Sequence, residues 1–273
     1  MITPTRLLLC CLALALGGCA TQGTRLDTAA ALDRALAAPE RPAADRARDV
    51  WRHPRQTLLF FGLREGMTVV ELDPGTGWYL QVLAPVLRER GRYVAALPPV
   101  NPQERGAVRE RERLEQVIAS RPGQFDRIER APFDPAVKPL MADNSADLVV
   151  TFRSLHNWMS DGTAAAAMAA VYRALKPGGV LGIVEHRGNP SVPQDPQARS
   201  GYVNEAHAVR LIESAGFRLV ATSEINANPR DTKNHPRGVW NLPPTLADGD
   251  KDRERYLAIG ESDRFTLKFV KPR

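Results

Sequence analysis

The sequence predicts a three-layer α-β-α protein, in which helices cover both faces of a doubly wound, mostly parallel seven-stranded sheet. Three observations carry this. Seven short strand patterns alternate with helical patterns. The helical stretches repeat apolar residues at i, i+3, i+4 and i+7, as Met168, Val171, Tyr172 and Leu175 do. A glycine-containing turn joins the first run to a following helix, as in sheets that bind ligands at the carboxyl ends of their strands.

Trp51 to Phe61 reads as a helix leading into the core, and Thr68 to Leu72 as the first strand. Trp78 to Arg88 is a helix kinked at Pro85, and Arg92 to Leu97 the second strand. Gln103 to Ala119 is a charged helix whose alternating signs, Arg105 to Arg113, mark a solvated face. Asp126 to Arg130, Leu148 to Phe152 and Val180 to Glu185 are the next three strands. The helix Ala164 to Leu175 stops at Pro177, Gly178 and Gly179. Glu205 to Ala215 is a helix capped by Asn204 and ended by Gly216. Arg218 to Ile225 and Arg264 to Val270 complete the strands. Residues 226–263 form a long insert rich in Pro, Asn and charge, a candidate lid.

With 43% hydrophobic and 25% charged residues, the chain is not disordered, collagen-like or a coiled coil. Only its first stretch is continuously apolar, which excludes a multi-span membrane protein. The net charge of +6 is scattered, with no basic block interleaved with aromatics, so no nucleic-acid partner is expected.

Met1 to Cys19 reads as an export signal, with Arg6 its only charge and Leu7 to Gly18 too short to span a bilayer. Its close, Leu16-Gly17-Gly18-Cys19, resembles the bacterial lipoprotein box. That resemblance implies residues 1–18 as a signal peptide, a lipid on Cys19, and, with Ala20 next, a periplasm-facing lipoprotein of the outer membrane. Lipid chains anchor at roughly 0.8 kcal/mol per buried CH₂. All three cysteines, Cys10, Cys11 and Cys19, lie in this segment, leaving no disulfide or thiolate metal site in the mature chain. Residues 19–50 are expected as a tether with N-terminal helices broken near Pro39 and Pro42, and 51–273 as the ligand-binding domain.

The segment VVELDPGTGWY, Val69 to Tyr79, places an acid before a turn whose glycines let a ligand approach the backbone. A dinucleotide site would want a third glycine where Leu80 stands, and an acid some 20 residues after the turn. Glu71 instead precedes the turn, which suits a ligand with a cationic part. The segment resembles motif I of class I S-adenosylmethionine-dependent methyltransferases. Leu140 to Trp158 and Leu175 to Arg187 resemble that family's fourth strand with its loop and its helix-turn-fifth strand. The C-terminal runs, Ser223 to Leu246 and Gly260 to Pro272, resemble a bacterial group of predicted methyltransferases. The resemblance implies a Rossmann-like methyltransferase fold with an antiparallel last strand, and S-adenosylmethionine as cofactor. It implies cofactor-binding roles for Glu71, Asp73, Gly75, Gly77, Phe133 and Asp134: Glu71 orients the turn and the methionine end, Gly75 and Gly77 pass beneath the cofactor, and Phe133 and Asp134 contact adenine. Asp73 replaces the turn's usual first glycine. Leu97 stands where an acid usually grips the ribose hydroxyls, a loss of roughly 1.5–3 kcal/mol.

Methyl transfer from a sulfonium is an in-line displacement that needs orientation, a dry pocket and, for a protonated acceptor, a base. His156 is the candidate base, following the fourth strand. Asn157, Trp158, Glu185, His186 and Trp240 are candidate substrate contacts. Without a tight spacing motif, His156, Glu185 and His186 are read as hydrogen-bonding groups, and no metal is expected. Two readings stand: a methyltransferase acting on a small molecule or envelope component, and a non-catalytic envelope lipoprotein that keeps the fold. The sequence predicts no particular oligomeric state.

Overall fold

The computed structural model describes residues 18–135 and 137–273, with side chains from residue 27 onward. Residues 1–17 of the expected signal segment lie outside the described residues, as does the side chain of Cys19.

The first described segment carries helices, broken near Pro39 and Pro42. Helix α1, Gly18–Ala37, packs on later helices and buries Thr28, Ala31, Leu32 and Ala35. Short helices α2, Ala43–Arg46, and α3, Asp49–Arg52, follow, and a bidentate ion pair from the buried Arg41 to Asp49 ties them down. Helix α4 is Pro54–Phe61. The single helix expected over 51–61 is thus two. His53 takes a left-handed backbone (φ 38°) before Pro54, where proline disfavours a continuing helix in the preceding residue.

Strand β1, Thr68–Leu72, leads through the glycine turn into α5, Leu80–Leu87, and then β2, Arg92–Leu97. Helices α6, Arg105–Ala119, and α7, Pro122–Phe125, precede the short strand β3, Glu129–Pro132. This strand lies C-terminal to its expected place because Phe125 and Ile128 turn inward first. Its Pro132 is tolerated because β3 is an edge strand. Strand β4, Ala146–Phe152, is followed by α8, Leu155–Ser160, α9, Ala164–Ala174, and the long β5, Leu175–His186. The chain closes with α10, Glu205–Ser214, β6, Arg218–Ser223, α11, Arg253–Ile259, and β7, Arg264–Val270.

The sheet order is β3-β2-β1-β4-β5-β7-β6, with the first five strands parallel and β7 antiparallel to both its neighbours. Alternation along β1 separates two cores. Val70 and Leu72 face α9 and α10, whereas Val69 faces α1, α4 and α5. The order reverses between β1 and β4, which opens a crevice at their carboxyl ends. Because β7 runs antiparallel, its first residue arrives at that same edge, where Arg264 pairs with His186. No described helix is long and apolar enough to cross a membrane.

Candidate active site

A cavity of about 500 Å³ occupies the switch-point crevice, within the range of ligand sites. Its two walls carry opposite charge. A wider, more open groove of about 1050 Å³ beside β5 and α10 holds none of the predicted site residues.

The first wall is the turn after β1. Glu71, Asp73, Gly75 and Thr76 line it, together with Glu110 reaching across from α6. Asp73 adopts a left-handed backbone (φ 49°) at the position where glycine is usual. Gly75 (φ 57°) lies so near α6 that a β-carbon there would meet Glu110 Oε1 at 3.1 Å. Burial lifts the Glu71 carboxyl to about 8, a rise that the Tyr93 hydroxyl, donating at 2.5 Å, only partly offsets. Asp73 is also raised by burial, against hydrogen bonds from Ser154 and the Gly75 backbone. Glu110 is raised by burial and then by Asp73. Three carboxyl groups driven toward their neutral forms are a seat whose charge a cationic ligand restores.

Behind the turn, Leu97, Pro98 and Pro99 line a recess of about 50 Å³ that Glu110 and Arg111 share. Glu110 and Asp73 are the two acids that line this recess beside the apolar Leu97.

Across the cavity stands His156, at the start of α8. Glu185 Oε1 lies 3.1 Å from His156 Nδ1, and Glu185 Oε2 accepts the His156 backbone N–H at 3.2 Å. The tautomer that donates to Glu185 leaves Nε2 as the free acceptor. His186 Nδ1 lies 2.5 Å from the Ser262 hydroxyl. Burial, then His156 and Arg264, press the His186 pKa well below its usual value, so this ring is neutral. Trp240, carried by the insert, stands edge-on to His156 with centroids 6.1 Å apart. The insert is fastened beneath it: Asn226 donates to Thr57 and Thr266, and Asp231 accepts from Tyr202 and holds His235 Nε2 at 2.9 Å.

The second wall is cationic, and sequence reading missed it. Arg48, Arg52, Arg153 and Arg264 converge on a single buried carboxylate, Glu261. Arg48 Nε reaches Glu261 at 2.6 Å, Arg52 Nε reaches it at 3.3 Å, and Arg264 bonds it as well. Arg153, left-handed at φ 64°, forms no ion pair among the described residues. Burial would raise Glu261, yet the four arginines hold it far below the usual carboxylate range. Burial and then Arg264 lower Arg153 to about 10. Arg48 Nη2, Arg52 Nη1 and Arg264 Nε are buried donors without an acceptor, each costing about 1–3 kcal/mol.

Of the predicted site residues, Glu71, Asp73, Gly75, His156, Asn157, His186 and Trp240 line the cavity. Gly77 does not: it packs on Leu114, 3.1 Å from where its β-carbon would be. Trp158 and Phe133 stack edge-to-face in the core at 5.4 Å, and Asp134 lies outside both the cavity and the recess. Glu185 acts from behind His156. Ligand atoms of His156, Glu185 and His186 fall within 4.8 Å of one another, as a metal site would require. The field of Arg52, Arg153 and Arg264 on His186 is unfavourable to a second cation there.

Residues 70–183 match the model of a family described as a methyltransferase domain. The match spans less than half of the chain and shows similarity to a methyltransferase domain over that segment. No curated protein matches the sequence. A SAM-dependent methyltransferase from Aquifex aeolicus is similar in fold, at 18% identity and a TM-score of 0.55, over 82% of this chain and 93% of that one. A putative sarcosine dimethylglycine methyltransferase from Galdieria sulphuraria is similar at 15% identity and 0.54, over 83% and 85%. The [4+2]-cyclase SpnF is similar at 17% identity and 0.59, over 92% and 95%. Neighbours this distant share the architecture alone, and a cyclase among them shows why the site must carry the functional argument.

Proposed function

We propose that this protein is an envelope lipoprotein, anchored through a lipid on Cys19 and facing the periplasm from the outer membrane, which methylates a small molecule or envelope component. The observation that carries the enzymatic reading is that the Glu71, Asp73 and Glu110 carboxyls and the Glu185-oriented His156 line one cavity. The leader with its Leu16-Gly17-Gly18-Cys19 close supports the location.

The donor set fits S-adenosylmethionine as the cofactor: carboxyl groups suit its cationic part, and the backbone at Gly75 gives it room. When bound, the cofactor supplies an electrophilic methyl group. Glu71 and Asp73 orient the cationic portion, and Glu110 supplies the carboxylate that Leu97 does not. Glu185 fixes the His156 ring, whose Nε2 accepts the proton of an acceptor hydroxyl or amine. Trp240 and the insert cover the acceptor side and restrict water.

Calorimetric titration of the full-length chain in detergent with S-adenosylmethionine and S-adenosylhomocysteine tests the reading. Saturable heat that weakens in Glu71→Ala is expected; no heat at millimolar cofactor overturns it. Labelled palmitate should be incorporated into the wild type and not into Cys19→Ala.

A further inference from the structure

We infer that the four-arginine wall is an oxyanion seat that holds an acidic group of the methyl acceptor, a carboxylate or phosphate, and so orients the acceptor toward His156. This inference rests on the methyltransferase reading and adds the chemical class of the substrate.

Four guanidinium groups share one carboxylate, and three of their buried N–H donors have no acceptor. An oxyanion supplies both the missing charge and the missing acceptors, and guanidinium forks match its geometry. A stabilising role alone would call for one arginine on Glu261, not four. The seat is also on the acceptor's side. Arg264 lies in register with His186, which neighbours His156 with ring centroids 5.4 Å apart. Arg153 lies with the acidic turn inside the segment that matches the methyltransferase domain, residues 70–183, whereas Arg48, Arg52, Glu261 and Arg264 lie outside it. Most of the seat is thus supplied from outside that segment, which fits a ligand other than the cofactor. Arg113, exposed at the cavity mouth, extends the positive field outward.

The probe is inorganic phosphate, titrated calorimetrically at constant ionic strength into the full-length protein, with and without saturating S-adenosylhomocysteine. Phosphate should bind in both states. Arg153→Gln should weaken it at least tenfold, Arg153→Lys should weaken it less, and the exposed Arg199→Gln should not change it. Three results overturn the inference: no phosphate binding in either state, binding unchanged in Arg153→Gln, or binding abolished by S-adenosylhomocysteine. The last would assign the seat to the cofactor's own carboxylate. The wild-type titrations need no variant to fold. If phosphate binds and S-adenosylhomocysteine does not, the seat stands and the cofactor reading fails, so the two claims are separable.

Discussion

The two walls of the cavity were built in different ways. The acidic wall comes largely from one short stretch, Glu71 to Thr76, with Glu110 added from the next helix but one. The cationic wall is assembled from residues more than 200 positions apart, Arg48 and Arg52 on one side and Glu261 and Arg264 on the other. The first is largely local in the chain. The second depends on tertiary docking. Charge separation of this kind suits two ligands of opposite character meeting at one point.

Glu261→Gln should break the contrast most. It removes the buried carboxylate that the four arginines share, with an expected loss of about 3–5 kcal/mol in urea denaturation. Added phosphate should restore part of that loss, since an ion bound only by the native state stabilises it. His156→Gln should reduce turnover by about 10²- to 10⁴-fold and leave cofactor binding intact, which separates the base from both walls.

Glu71→Gln sharpens the acidic side. Between pH 4.5 and about 8 the native state retains the Glu71 proton that the unfolded chain has lost. The unfolded state therefore binds fewer protons, and wild-type stability falls as pH rises across this window. The variant should show a flatter profile in thermal melts. Glu110→Gln should have the smallest effect, a roughly 10- to 100-fold weaker cofactor affinity without loss of stability, measured by calorimetry.

The difference between the walls also explains what the sequence revealed. Periodicity placed all seven strands near their observed positions, and the glycine turn marked the acidic wall because its residues are adjacent. Arg264 stood among the apolar residues of Arg264 to Val270 as an unremarked strand end. Only the antiparallel placement of β7 brings it to the ligand edge. Arg52 was hidden in a helix that is really two, divided at His53. Phe133 and Asp134, carried over by resemblance, fall outside because the Phe133 ring is spent on packing against Trp158.

Strand β7 is threaded between β5 and β6, and it presents Arg264 to Glu261 and to the backbone of Trp51. That central place in the sheet ties the arginine cluster to the body of the fold, so the acceptor side of the cavity is only as well positioned as β7 is seated between its two neighbours.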